Sequence, residues 1–204
     1  RQRLSAEEFA GTSRVLAEVL KQILVAAPVP VSVLFTGESG TGKTALARAL
    51  HRSSPRASAP FVELNCAAIP ETLFESELFG AEKGAHSTAT KRMEGKIFAA
   101  QKGTLFLDEV GEIPSVVQGK LLMFLQSRRY YRLGSNVPIE ADVRIVAATN
   151  ADLEELVKTK RFREDLYYRL NMVELRVPAL RERAEDIPEF VEFFSREYAA
   201  KYRA

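Results

Sequence analysis

The run Gly37-Glu38-Ser39-Gly40-Thr41-Gly42-Lys43-Thr44 constrains this chain more than any other stretch. It fits the pattern G-x-x-x-x-G-K-[ST], in which glycines let successive backbone N–H groups turn inward around an anion. The pattern has force only between a strand and a helix, and its neighbours qualify. Residues 31–35 are apolar at four of five positions and read as a short buried strand. Residues 45–50 are mostly strong helix formers, so a helix opening there presents its positive dipole end to bound phosphate. Lys43 adds a charge near the terminal phosphates of a nucleotide, and the Thr44 hydroxyl is placed to ligate Mg²⁺. A glycine-rich turn that binds nothing is the alternative, and the flanking elements argue against it.

Composition narrows the setting. The chain has 204 residues, enough for a substantial core, with 27% charged and 46% hydrophobic residues, as in ordinary globular domains. A net charge of +2 is too small to argue for nucleic acid or an anionic membrane surface. The single cysteine, Cys66, excludes an internal disulfide and suits a reducing compartment. Charged residues scattered through the first 21 positions leave no signal peptide visible. The longest apolar run, residues 23–35, is interrupted by Pro28, Pro30 and Ser32 and is too short to span a bilayer. A soluble, cytoplasmic protein is expected.

Along the chain, Val15, Leu16, Val19, Leu20, Ile23 and Leu24 mark one face of an amphipathic helix that Thr12 or Ser13 can cap. Further strands are expected over 61–64, 104–107, 143–148 and 173–177, and helices over about 71–79, 115–127, 153–157, 162–170 and 189–200. Val116, Val117, Leu121, Leu122 and Leu125 are available for the core face of the helix at 115–127. Residues 80–95, framed by Gly80, Gly84 and Gly95, read as a long exposed loop with little to bury, and 128–142 as a connecting loop through Gly134 and Pro138. Strands alternating with helices imply an α/β fold, a parallel sheet with helices on both faces.

Leu105-Phe106-Leu107 runs into Asp108-Glu109, a buried parallel strand delivering two carboxylates to its C-terminal end, where ligands sit in open α/β sheets. Acidic turns end many strands, but a phosphate-binding turn on a neighbouring strand gives this pair a task. Asp108 would hold Mg²⁺ through its water shell, and Glu109 would orient and deprotonate an attacking water. Asn150 ends the next strand, where its amide serves equally as a turn former or as a donor to the γ-phosphate or the water.

With these residues in place, the chain resembles the AAA+ central domain of bacterial sigma-54-dependent transcriptional activators. The resemblance is carried by Gly37 to Lys43, Phe61-Val62-Glu63-Leu64-Asn65-Cys66-Ala67-Ala68, Glu75-Ser76-Glu77-Leu78-Phe79-Gly80 and Gly103-Thr104-Leu105-Phe106-Leu107-Asp108-Glu109. Val146-Ala147-Ala148-Thr149-Asn150, Phe162-Arg163-Glu164-Asp165-Leu166-Tyr167-Tyr168-Arg169-Leu170 and Leu180-Arg181-Glu182-Arg183 complete it in family order. It implies a P-loop NTPase with a three-layer α/β/α core over residues 1–180, and only the start of a helical lid over 181–204. No sensory or DNA-binding domain of the family has a counterpart in this stretch. It further implies ATP and Mg²⁺ as ligands: Gly37, Glu38, Ser39, Gly40, Thr41, Gly42, Lys43, Thr44 and Asn150 at the nucleotide, Thr44 and Asp108 at the metal, and Glu109 as catalytic base. Asn65 matches the switch residue that restrains the catalytic glutamate. Arg163 and Arg169 match arginine fingers that enter a neighbouring subunit's site, which implies self-assembly into a ring, typically a hexamer, and hydrolysis that depends on assembly.

Two features depart from the family pattern. The family usually carries Glu where this chain has Thr44, a change that restores the general hydroxyl of phosphate-binding loops. More consequential is the loop that in the family reads Gly-Ala-Phe-Thr-Gly-Ala and contacts sigma-54 bound to RNA polymerase. Here it reads Gly84-Ala85-His86-Ser87-Thr88-Ala89, so an apolar tip becomes an imidazole and a flexible glycine becomes threonine. An ATPase remodelling a sigma-54 complex is the leading expectation. A related ATPase acting on another protein, and a nucleotide-binding interaction module of poor turnover, stand as alternatives.

Overall fold

The computed structural model describes residues 11–85 and 91–202. His86, Ser87, Thr88 and Ala89 of the expected partner loop lie outside the described residues. Among the described residues, five parallel strands form the main sheet: β1 (Val33–Thr36), β2 (Phe61–Asn65), β3 (Thr104–Asp108), β4 (Arg144–Thr149) and β5 (Glu174–Arg176), in the spatial order β2-β3-β4-β1-β5. The helices are α1 (Arg14–Ala26), α2 (Lys43–Arg52), α3 (Glu71–Phe79), α4 (Lys96–Ala99), α5 (Ser115–Ser127), α6 (Leu153–Lys158), α7 (Glu164–Leu170) and α8 (Ile187–Tyr202).

Strand alternation divides the core in two. Val33 and Phe35 of β1, Phe106 of β3, and Val146 and Ala148 of β4 face α1 and α2, meeting Val19, Ile23, Leu46 and Leu50. Leu34, Leu105, Leu107, Ile145 and Ala147 point the other way, toward Phe74 and Leu78 of α3, Leu121, Phe124 and Leu125 of α5, and Leu166 and Leu170 of α7. Central strands apolar on both faces demand cover on both faces, and the result is a three-layer α/β/α core.

The register sets the working edge. Thr36 pairs with Thr149, Leu107 with Ala147, and Asn65 with Asp108. The residues that follow or close these strands, Gly37, Asn65, Asp108 and Asn150, are thereby brought to one carboxyl-terminal edge.

At the opposite end of β4, Arg144 is buried and donates to Ala26 O at 2.9 Å, Ala27 O at 2.7 Å and Val31 O at 3.3 Å. A cation among the last carbonyls of α1 satisfies acceptors that the helix cannot, and opposes its dipole. Burial pulls its guanidinium down to about 10, still charged at neutral pH.

Three expectations change. Val15 and Leu24 of α1 and Val116 of α5 are exposed, while Leu16, Val19, Ile23 and Ala26 form the buried stripe of α1. A helix packed on a flat sheet buries a narrow stripe, and apolar residues at its margins stay outside. Residues 80–95 are not structureless: Gly80–Ala81 pairs antiparallel with Met93–Glu94, and Gly80 and Ala81 are buried. The connection through Gly134 and Pro138 likewise contains an antiparallel pair, Arg129–Tyr130 with Ile139–Glu140. Leu133 N donates to Gly80 O and Glu82 N to Leu133 O, so the two excursions are joined at their bases. Arg132, only 9% exposed, binds Glu82 at 3.3 Å and Glu94 at 2.7 Å and closes the same junction. Strands of two residues carry too little periodicity to show in a sequence.

Candidate functional site

The site begins where β1 ends. Gly37 has φ +153°, and a Cβ there would fall 2.6 Å from Val177 O, so the chain after β1 passes the end of β5 too closely for a side chain. Gly42 caps α2 at φ +96° in the left-handed region. Lys43, the first residue of α2, is 6% exposed and donates its Nζ to Gly37 O at 2.8 Å and Glu38 O at 3.0 Å. Thr41 Oγ1 donates to Glu38 O at 2.8 Å. The turn thus closes on its own lysine, and the carbonyls it occupies are exchangeable partners for a cation whose preferred partner is phosphate. Ser39 and Gly40 are exposed and Thr44 is half-buried on the first turn of α2.

The carboxylates stand at the end of β3. Burial raises the Asp108 carboxyl above the ordinary range, helped by the Glu109 charge and opposed by the Glu109 N–H and the Lys43 cation. The glycine turn and the carboxylates do not leave neighbouring strands as expected: β4 lies between β1 and β3, and the shared parallel register brings both to one edge. Glu109 adopts φ +53°, ψ +54°, a left-handed conformation that costs a residue with a Cβ about 1–2 kcal/mol. Its Oε2 accepts from Asn150 N at 3.0 Å. Backbone strain at a residue held by a specific hydrogen bond is the pattern of a functional site.

Asn65 is paired in register with Asp108, but its side-chain oxygen accepts from Ala67 N at 3.0 Å and caps the short 3₁₀ turn at Cys66–Ala68. The partner of Glu109 is therefore the Asn150 main chain, not Asn65. Cys66 is buried behind the carboxylates, and burial together with their charge pushes its thiol far up, leaving it protonated and inert. Arg163 and Arg169 lie on another part of the surface. Arg163 caps α7, is exposed, and pairs with Asp165 at 2.8 Å. Arg169 is half-buried and donates to Leu125 O near the end of α5 at 3.0 Å. The sequence-predicted residues thus form two groups, one around Lys43 and Asp108 and one on α7. Of the partner loop, Gly84 and Ala85 are described, with Ala85 close to Gly134.

Segment 180–190 adds contacts that no single motif announced. Arg181 forms a bidentate pair with Glu38 of the glycine turn. The exposed Glu38 carboxyl is held below its usual range, first by that hydrogen bond. Arg183, 6% exposed, donates to Thr41 O at 3.0 Å and lies 5.4 Å from the Phe190 ring. Asp186, fully buried, accepts from Ser13 N and Ser13 Oγ, each at 2.7 Å. Beside the glycine turn Arg183 and Phe190 border a cavity of about 830 Å³, whose walls include Leu16, Gly42, Leu180, Ile187 and Phe194. An apolar chamber next to a polar anion cradle has the make-up of a site for a ligand with a flat apolar part and a charged part. The sequence signal for it was available in Arg181 and Arg183, whose paired charges follow directly on Leu180.

Comparison with known proteins agrees with this arrangement. Residues 9–176 match the family described as the sigma-54 interaction domain. The chain belongs to that family. It is 52% identical over its whole length to a Nif-specific regulatory protein of Bradyrhizobium diazoefficiens and 50% identical over 98% of its length to the regulatory protein ZraR of Salmonella typhimurium. It spans 34% and 46% of those relatives, respectively. Among solved structures, NtrX from Brucella abortus in complex with ATP superposes with a TM-score of 0.89 at 39% identity, over 95% of this chain and 42% of that one. This sigma-54 interaction domain therefore has the AAA+ ATPase fold, with the expected α/β/α layering. No helix among the described residues is long and apolar enough to cross a membrane.

The two halves of the site separate by substitution. Replacing Lys43 with Ala removes charge-assisted bonds worth about 2–3 kcal/mol, so ATP affinity should fall roughly 30- to 150-fold. Glu109→Gln should bind ATP within a few-fold of the parent but release phosphate about 10²–10⁴ times more slowly. Calorimetry and a phosphate-release assay check both; an equal loss of binding in the two variants would refute the division.

Proposed function

We propose that this chain is the ATP-hydrolysing module of a sigma-54-dependent transcription activator, using Mg²⁺ATP to remodel a sigma-54–polymerase complex. The observation that carries it is the convergence on one carboxyl-terminal sheet edge of the glycine turn that holds Lys43, after β1, and of Asp108 and Glu109, at the end of β3, with β4 and Asn150 between them. The donor set fits the ligands. Glycines 37, 40 and 42 with the N-terminus of α2 accept phosphate, Lys43 leaves its carbonyl partners for the terminal phosphates, and Thr44 and Asp108 supply hard oxygen ligands. The metal, when bound, neutralises charge developing on the phosphates.

Within the protomer, Glu109 takes a proton from the attacking water. Its carboxylate is aimed by the Asn150 N–H, and the Asn150 amide is free to meet the same water or the γ-phosphate. Asn65 acts on Glu109 only after its side chain leaves Ala67. Neither Arg163 nor Arg169 bonds to the glycine turn of its own protomer: one is tied to Asp165, the other to Leu125 O. Residues 1–180 form the nucleotide-binding unit in this reading, and residues 181–204 open the lid, with Arg181 and Arg183 as its first contacts to the turn. Assembly into a ring, with six protomers as the family's usual number, brings Arg163 and Arg169 to the next site, where an arginine stabilises transition-state charge.

Mixing tests the assembly. Lys43→Ala protein retains its arginines, and Arg163→Ala protein retains its binding site; each should be inactive alone, and their mixture should recover a measurable part of the parental phosphate release. A mixture no better than its components would place Arg163 on a passive surface.

The partner contact is the second test. Burying the phenylalanine that the family carries at the loop tip contributes roughly 1.5–3 kcal/mol, and a partly hydrated imidazole at position 86 supplies less. Weak binding of sigma-54 is therefore expected for this chain with a transition-state mimic of ATP bound. His86→Phe, Ser87→Thr and Thr88→Gly together should strengthen the complex by about tenfold or more without changing basal hydrolysis. Tight binding by the unaltered loop would overturn this expectation.

A further inference from the structure

Gln118 lies inside α5 with 1% of its surface exposed, among residues that are otherwise apolar. Its amide is committed to main-chain partners. Nε2 donates to Ile113 O at 2.9 Å and to Arg161 O at 3.0 Å, and Oε1 accepts from Arg163 N at 2.8 Å. A methionine would fill this volume without the cost of burying an amide, so packing alone gives no reason for glutamine. The partners supply one. Ile113 closes the 3₁₀ turn Val110–Glu112, which opens at Glu109 and in which Glu112 N donates to Glu109 O. Arg161 and Arg163 are the last residues before α7, and Arg163 is its N-cap, with its guanidinium directed out to Asp165 on the surface. One buried amide therefore joins the turn that leaves the catalytic carboxylate to the backbone that launches Arg163.

We infer that Gln118 is a positioning residue for hydrolysis between subunits: it fixes the main chain at Arg163, and so the direction in which that guanidinium leaves the protomer. This rests on the reading in which Arg163 acts in the neighbouring site. Gln118 touches no part of the glycine turn in its hydrogen bonds, so nucleotide affinity does not depend on it. Loosening its three partners displaces the finger, and misplacing a reacting group by about 1 Å costs up to about 10²-fold in rate.

The test is Gln118→Met, with ATP binding and phosphate release measured separately and in two mixtures. ATP affinity should stay within about twofold of the parent, while the turnover rate falls at least about tenfold. Mixed with Lys43→Ala protein, which supplies an intact Arg163 to the variant's own site, activity should recover. Mixed with Arg163→Ala protein, whose site would need the misdirected finger of the variant, it should not. A purely structural role predicts the same result in both mixtures, and a role through Glu109 predicts the reverse order; either outcome overturns the proposal. Gln118→Asn keeps the polarity but is one methylene short of its partners, should show the same asymmetry, and carries the test if the methionine protein does not fold. The Lys43→Ala and Arg163→Ala mixture is the control. No recovery there removes the trans role of Arg163 itself, and with it the proposal; recovery there with symmetric Gln118 mixtures removes the proposal alone.

Discussion

The parallel register of β3, β4 and β1 is the constraint on which the rest depends. Because Thr36 lies beside Thr149, and Leu107 beside Ala147, the chain leaving each strand emerges at one edge. Lys43, Asp108, Glu109 and Asn150 are separated by up to 107 positions in sequence yet meet there. Shifting any strand by one residue would also exchange its two packed faces, since Leu34 faces one layer while Phe35, Phe106 and Val146 face the other. The hydrophobic core and the chemistry are thus specified by the same alternation. Buried strands on both faces hold the edge rigid, and a rigid edge is what keeps a carboxylate and a lysine at useful separation.

Around that edge the contacts are of another kind. Polar side chains reach from distant segments to main-chain atoms: Arg183 to Thr41 O, Asp186 to Ser13 N, Gln118 to three sites at once. Each is buried, and each joins elements that share no strand pairing. A buried charge or amide is costly unless every partner is present, so these links are directional in a way that apolar packing is not. They tie the glycine turn to segment 180–190 and the carboxylate turn to α7. Movement of nucleotide at the turn therefore has defined handles on both neighbours.

Much of this was legible in the sequence, for identifiable reasons. The central strands and α3 and α5 announced themselves because long apolar runs and helical spacing leave little freedom, and the glycine turn did so because few residues tolerate its backbone. The paired strands within 80–94 and 129–140 were not legible, since ladders of two residues carry little pattern and the first is held by Leu133 and Arg132 of the second excursion. Val15, Leu24 and Val116 misled because apolar character does not say how wide the covered stripe is. The hydrogen bond from Asn150 to Glu109 was not legible for a subtler reason. A motif identifies a residue type at a strand end, but the bond to Glu109 comes from the Asn150 main chain, which no side-chain pattern encodes. Gln118 bonds to Arg163 across 45 positions and Arg183 to Thr41 across 142, and although the Arg181–Arg183 motif was visible, sequence pattern does not name partners at such distances.

The central claim is that the lysine and carboxylate of one protomer are completed by arginines of another. The most direct measurement is phosphate release per protomer as a function of protein concentration, at saturating ATP and Mg²⁺. The account predicts specific activity that rises with concentration and levels off as protomers associate, with association followed in the same samples by light scattering. Constant specific activity across the range in which the protein passes from monomer to assembly would contradict it.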